Sequence, residues 1–208
     1  YNADGGEAEM CGNGARCFGN FAAALLHHDK TAPLPFETMA GVVTATFEKD
    51  DNVTVNLTNP HSMQLFVLNA DPTVGADVHF LNTGVPHAVA FLDKLEGLDI
   101  SRLGAYLRYH EAFSPKGTNA NFARILSPGH IAIRTYERGV EDETLACGTG
   151  MTACALLHAV LTDAPSPIQV DVAGGDTLKV GFQRTGDRFT DVTLTGPADL
   201  VFTGDIQI

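Results

Sequence analysis

The sequence has no tryptophan, no cysteines spaced Cys-x-x-Cys, and no apolar run near the ~20 residues that a membrane-crossing helix needs. The last absence excludes a helical membrane span. The second removes zinc-site and thioredoxin-like readings for Cys11, Cys17, Cys147 and Cys154. Basic residues are scarce as well: 13 Lys and Arg stand against 25 Asp and Glu, a net charge of -12. A nucleic-acid partner needs the opposite balance, because neutralising phosphates takes cationic side chains. Nor does the chain resemble a small secreted scaffold in which bridges replace a core, so a reduced, cytoplasmic setting is expected. The sequence as given does not open with methionine, and no signal peptide is expected. The chain opens Tyr1-Asn2-Ala3-Asp4 and reaches a reactive-looking loop within ten residues, so we expect a piece of a longer protein that has lost its beginning.

What is present is an ordinary globular balance, 44% hydrophobic and 18% charged over 208 residues. Two segments read as a glycine-rich turn entering an apolar helix. Cys11-Gly12-Asn13-Gly14 leads into Ala15–His27, and Cys147-Gly148-Thr149-Gly150 leads into Met151–Leu161. Acidic residues precede each loop (Glu7 and Glu9; Glu141, Asp142 and Glu143), and Cys17 or Cys154 follows in the first two helical turns. This is an internal repeat. Leu98–His110 is a third helical segment, with Leu98, Leu103 and Leu107 on one face. Period-two patterning and β-branched residues predict strands over Gly41–Glu48, Asn52–Leu57, Val85–Leu92, Ile131–Glu137, Val170–Val172, Thr177–Phe182, Phe189–Leu194 and Leu200–Ile208. The expected fold is α/β of the α+β kind. It has two pseudo-symmetric lobes, each a curved, barrel-like mixed sheet wrapped around a central helix. Residues 1–57 form the first lobe, 58–196 the second, and 197–208 return to the first.

A cysteine just before a helix start faces unpaired backbone N–H groups and the positive end of the macrodipole. That position favours a thiolate and lowers the cysteine pKa. Flanking glycines let the backbone approach a ligand, so the next N–H groups can hold a carboxylate. Two such loops in similar lobes can set two sulfurs on opposite faces of one ligand. Inversion at a carbon needs that arrangement: one group removes the α-proton while the other delivers a proton to the far face. Cys17 and Cys154, inside the helices, read as inert packing residues. A disulfide between Cys11 and Cys147 is a further reading of the pair, and would block the reaction.

The string Asn2-Ala3-Asp4-Gly5-Gly6-Glu7 with Glu9-Met10-Cys11-Gly12-Asn13-Gly14-Ala15-Arg16-Cys17 resembles diaminopimelate epimerase. So does Glu137-Arg138-Gly139-Val140 leading to Glu143-Thr144-Leu145-Ala146-Cys147-Gly148-Thr149-Gly150. With the middle motifs, the resemblance spans nearly the whole chain. It implies interconversion of LL- and meso-diaminopimelate on the route to lysine and peptidoglycan, in a cytoplasmic homodimer, with no pyridoxal phosphate and no metal. It places the proton-transfer pair on Cys11 and Cys147. It places substrate contacts on Asn2, Gly12, Asn13, Asn119, Gly148 and Thr149. Glu137 and Arg138 match a pair at the substrate, the Arg as a bidentate carboxylate clamp and the Glu as an ammonium partner or thiol tuner. His87, in Gly84-Val85-Pro86-His87, matches a histidine that tunes the thiols. The remaining histidines have no ligand-like spacing.

This sequence departs from the family at Val85, where many members carry a substrate-binding Asn. It also lacks the family's usual opening strand, and for that reason the fragment is expected to fold incompletely and to be inactive alone. A proline or hydroxyproline racemase is the closest rival. Those enzymes tend to carry His after the first Cys-Gly, where Asn13 stands here. Two more readings stay open: a racemase for another amino acid, and a degenerate ligand-binding homologue, which would be expected to lose one cysteine. A pyridoxal-phosphate racemase needs a Schiff-base lysine, and Lys30, Lys49, Lys94, Lys116 and Lys179 sit in no such setting.

Overall fold

Residues 11–49 and 51–205 are described by the computed structural model. The strands are β1 (Leu34–Thr38), β2 (Gly41–Phe47), β3 (Val53–Asn56), β4 (His61–Asp71), β5 (Ala76–Asn82) and β6 (Pro86–Phe91). They continue as β7 (Asn119–Ser127), β8 (His130–Glu137), β9 (Asp142–Thr144), β10 (Ile168–Asp171), β11 (Thr177–Thr185) and β12 (Arg188–Gly196). The helices are α1 (Gly12–Leu25), α2 (Ile100–Arg108) and α3 (Gly148–Thr162). One mixed sheet runs β1-β2-β3-β12-β11-β10-β8-β7-β6-β5-β4, with β9 on β8. The pairs β6–β7 and β8–β10 are parallel.

The sheet curves around the helices as two lobes. α1 lies on β1, β2 and β3, while α3 sits inside the bowl made by β5–β8 and β10–β12. α3 is apolar all round, and such a helix must be enclosed; Met151, Leu156 and Leu157 are fully buried. α2 covers the outer face of β7 and β8. Helices therefore pack on both faces of the middle of the sheet, which explains the run of buried residues His87–Ala90 on β6. Val89 joins the α3 core, whereas Ala88 and Ala90 join the α2 core with Leu103 and Leu107. α1 buries only a stripe, Gly12, Ala15, Arg16, Gly19 and Ala23. A β-carbon on Gly19 would lie 2.7 Å from Ala45 Cβ, so its absence lets α1 lie against β2. The segment after β12 meets α1, where the Asn20 side-chain amide donates to Ala198 O at 2.7 Å.

The structure differs from the sequence expectations in several places. α1 and α3 begin at Gly12 and Gly148, directly after the cysteines, and not after the Gly-x-Gly loop. The cysteines take the extended N-cap backbone (φ -137°, ψ 103° and φ -118°, ψ 108°), so each loop is already the first helical turn. α2 starts later than Leu98 because Asp99 caps it, accepting from Arg102 N at 3.0 Å. β1, β5, β7 and β9 are strands that the sequence reading does not predict, and so is β4. Left-handed φ at Ser62, Phe66 and Ala70 shifts its register repeatedly and erases the two-residue period. Of the strand expected over Leu200–Ile208, residues 200–205 join no sheet and leave Leu200, Val201 and Phe202 exposed. The neighbours of β3 are already β2 and β12. Residues 206–208 lie outside the described residues.

Candidate active site

The two cysteine loops meet end to end. A β-carbon on Gly12 would fall 2.9 Å from Leu194 Cδ2 and 3.7 Å from Gly148 Cα. One on Gly148 would fall 3.1 Å from the same Leu194 atom and 3.3 Å from Gly12 Cα. The missing β-carbons leave Leu194 Cδ2 and the facing backbone in close contact at this junction. A polar clamp joins them: Asn13 Nδ2 donates to Ala146 O at 3.3 Å, immediately before Cys147. Arg16, only 5% exposed, holds that carboxamide by donating to Asn13 Oδ1 at 3.1 Å. It also donates to Pro197 O at 3.4 Å, tying the loops to the segment after β12.

The thiols sit in unlike environments. Cys11 is exposed, and its Sγ accepts from Gly14 N at 3.3 Å as the side-chain cap of α1. Cys147 is buried, with Sγ 3.5 Å from Thr149 Oγ1. Burial, reinforced by the nearby Glu137 carboxylate and by Cys11, pushes the Cys147 thiol up to about 12. Hydrogen bonds from Thr149 and Gly150 N–H offset this only partly. The expected lowering at a helix N-terminus is therefore reversed for Cys147, because desolvation outweighs the hydrogen bonds its sulfur receives there. Cys154 is a buried packing residue whose thiol burial pushes up, as expected. Cys17 does not pack inside: it is exposed on the outer face of α1.

Facing α3, the ends of β5–β8 form a polar wall. His87, Asn121 and Thr135 are fully or almost fully buried there, with Asn119 4% exposed. The Asn119 carboxamide is held by backbone, donating to Pro86 O at 3.1 Å and accepting from Arg138 N at 2.8 Å. Glu137 and Arg138, both half-buried, close the end of β8. The Arg138 guanidinium donates to Lys116 O at 3.3 Å. Thr83 Oγ1 donates to Thr149 O at 2.9 Å, fastening β5 to the first turn of α3. The Val85 carbonyl, a candidate to replace the missing Asn contact, already accepts from Thr83 N at 3.2 Å. A cleft of about 580 Å³, lined by Gln64, Phe80, Asn82, Pro86 and Lys116, opens beside Arg138 but does not reach either sulfur.

The structure thus brings Cys11, Gly12 and Asn13 against Gly148 and the Cys147 loop, with Glu137 near the second sulfur. Asn2 lies outside the described residues. Sequence reading missed Asn121, Thr135, Thr83 and the clamp role of Arg16. Asn121 carried one signal, since it alternates with Asn119 on the same face of β7. Among the described residues, no His, Cys, Asp or Glu side chains group in a metal-holding arrangement. No described helix is long and apolar enough to cross a membrane.

Comparison with known proteins gives a consistent result. A profile of the diaminopimelate epimerase family matches residues 1–63 and 79–201, omitting the stretch around the bulged end of β4 and its turn into β5. A diaminopimelate epimerase of Hydrogenobaculum sp. (strain Y04AAS1) is 43% identical over 209 residues, covering 98% of this chain and 72% of the relative. Among solved structures, a phenazine biosynthesis protein of the PhzF family from Bacillus anthracis superposes with a TM-score of 0.69 at 13% identity. That match covers 95% of this chain and 76% of the other. A probable proline racemase from Agrobacterium radiobacter K84, with bound carbonate, gives 0.63 at 20% identity, covering 88% and 63%. These two likenesses concern the fold.

Proposed function

The chain belongs to the diaminopimelate epimerase family, and on that premise we propose that it interconverts LL- and meso-diaminopimelate by passing the α-proton between Cys11 and Cys147. One observation carries the reading: both cysteines hold the N-cap positions of helices whose first residues, Gly12 and Gly148, abut, so the two thiol loops meet at one junction. The substrate α-carboxylate sits at the N–H groups following Gly12 and Gly148, beside Asn13 and Thr149. There the developing carbanion charge meets fixed dipoles in a site screened from water. In one direction Cys11 thiolate takes the α-proton as Cys147 thiol donates from the opposite face. The turnover leaves the protonation states exchanged, ready for the reverse reaction. Burial keeps Cys147 protonated at rest, which fits it to be the acid of that first step. Arg138 supplies a bidentate carboxylate contact at the substrate's distal end, and Glu137 an ammonium partner. The thiols perform the proton transfers, so pyridoxal phosphate has no step to supply. A reduced cytoplasmic setting and a homodimer belong to the same reading.

In the test the intact protein, reduced and folded, is offered LL-diaminopimelate, L-proline and trans-4-hydroxy-L-proline in parallel, with products resolved by chiral chromatography. Inversion of diaminopimelate alone is expected, falling by roughly 10²–10⁴-fold or more in Cys11→Ala and in Cys147→Ala. Inversion of proline in its place would keep the two-thiol chemistry and overturn the substrate. No inversion of any of the three would overturn the reading.

A further inference from the structure

The buried histidine of the polar wall has one ring nitrogen accounted for and one not. His87 is fully buried on β6, and Asn121 is fully buried on the parallel strand β7. The Asn121 carboxamide has three partners. Nδ2 donates to Ala88 O at 3.0 Å, Oδ1 accepts from Thr135 Oγ1 at 3.0 Å, and Nδ2 lies 3.2 Å from His87 Nδ1. A carbonyl can only accept, so Ala88 fixes which end of the carboxamide is nitrogen; the flipped amide would set two oxygens face to face. The remaining Nδ2–H then points at His87 Nδ1, which must offer a lone pair. The ring proton is left on Nε2.

We propose that Asn121 is a positioning residue that holds His87 in the Nε2–H tautomer, making His87 a fixed hydrogen-bond donor in the epimerisation site. Burial, aided by the Arg138 charge, drives the imidazole pKa down to about 3, so the ring carries a single proton at ordinary pH. Nε2 is buried and meets no hydrogen-bond partner among the described residues. A buried donor without an acceptor is costly, and an acceptor arriving with the substrate relieves that cost. The network also lies directly under the thiol loop. A β-carbon on Gly150, in the first turn of α3, would collide with Asn121 Oδ1 and approach Cys147 Sγ to 3.4 Å. His87 therefore takes no proton in the reaction; it gives a hydrogen bond to charge that develops there. This inference rests on the proposed reaction only for what the donor serves. The tautomer itself is independent of substrate.

The experiment is ¹⁵N NMR of histidine-labelled protein between pH 5 and 8, with His87 identified by the signals lost in His87→Gln. It is paired with steady-state kinetics of Thr135→Val, which removes the hydroxyl that orients Asn121. The expected spectrum shows protonated Nε2 and unprotonated Nδ1, unchanged across that range. Thr135→Val is expected to lower kcat on the order of tenfold with little change in KM. Asn121→Asp, whose carboxylate can only accept, is expected to move the ring proton to Nδ1 and add an ionisation to the kcat profile. Protonated Nδ1 in the unaltered protein, or titration of His87 near the ordinary histidine value, would overturn the proposal. So would an Asn121→Asp variant with unaltered tautomer and pH profile. Inactivity toward diaminopimelate alongside the expected spectrum would count against the reaction, not the tautomer.

Discussion

At the scale of single residues, environment separates four chemically identical thiols. Cys11 and Cys17 are exposed, while Cys147 and Cys154 are buried with their thiols pushed up. Alkylation follows thiolate fraction and access. Iodoacetamide applied to folded protein at pH 8 is therefore expected to mark Cys11 and Cys17 and spare the other two; unfolding in guanidinium should expose all four. Peptide mass mapping reads the result, and labelling of Cys147 as fast as Cys11 would contradict the buried, protonated acid. The cysteine loops were legible in the sequence because cap, glycines and helix are neighbours along the chain. Asn121 and Arg16 were not. Their roles arise only when His87, 34 positions from Asn121, and Pro197, 181 positions from Arg16, are folded against them.

At the scale of elements, helix contacts rest on missing side chains. Gly12→Ala presses on Leu194 Cδ2, and Gly148→Ala presses on Leu194 Cδ2 and on the Gly12 backbone. Each is expected to cost about 1–3 kcal/mol, as overpacking does. Leu194→Ala would relieve the steric contact at Gly12 but leave its own cavity, so the double variant should lose less than the two single losses combined. Urea denaturation measures this, and strict additivity would show that Gly12 does not pack on Leu194 as described. Gly104 on α2 gives a contrast. A β-carbon there collides with the Tyr136 side chain, outside the thiol loops. Gly104→Ala should lower the urea midpoint while leaving kcat of the folded fraction unchanged. Element legibility followed the same physics. α3 was visible as an apolar block, and β2, β6 and β8 by their alternation. The bulged β4 was hidden because its left-handed residues break the period on which strand recognition depends.

At the scale of the whole molecule, the two-lobe architecture was readable from the repeated cysteine loop. The continuity of one sheet through the β3–β12 pair was not, because that pairing joins segments remote in sequence. The buried wall also sets an acid limit on the fold. His87 titrates at about 3 when folded and near its ordinary 6.5 when unfolded. Between those values the unfolded chain binds the extra proton, so stability rises with pH there and is lost as pH falls from 6.5 towards 3. The contribution is a few kcal/mol at full effect. Asp71 and Asp171, with lowered carboxyl pKa values, add losses of the same sign at low pH. The difference between unaltered protein and His87→Gln isolates the histidine: the pH 7-to-5 drop in urea midpoint should be smaller in the variant, and an equal drop would contradict the assignment.

The central claim is that two thiols work from opposite faces, and deuterium incorporation early in the reaction tests it most directly. LL-diaminopimelate is incubated with the protein in D2O, and substrate and product are separated and weighed by mass spectrometry at low conversion. Two thiols predict one deuterium at the inverted carbon of the product and almost none in recovered substrate, because the group that removes the proton does not return it. Deuterium appearing in recovered substrate as fast as in product, or product that keeps its original proton, would mean that a single group serves both faces and would contradict the account.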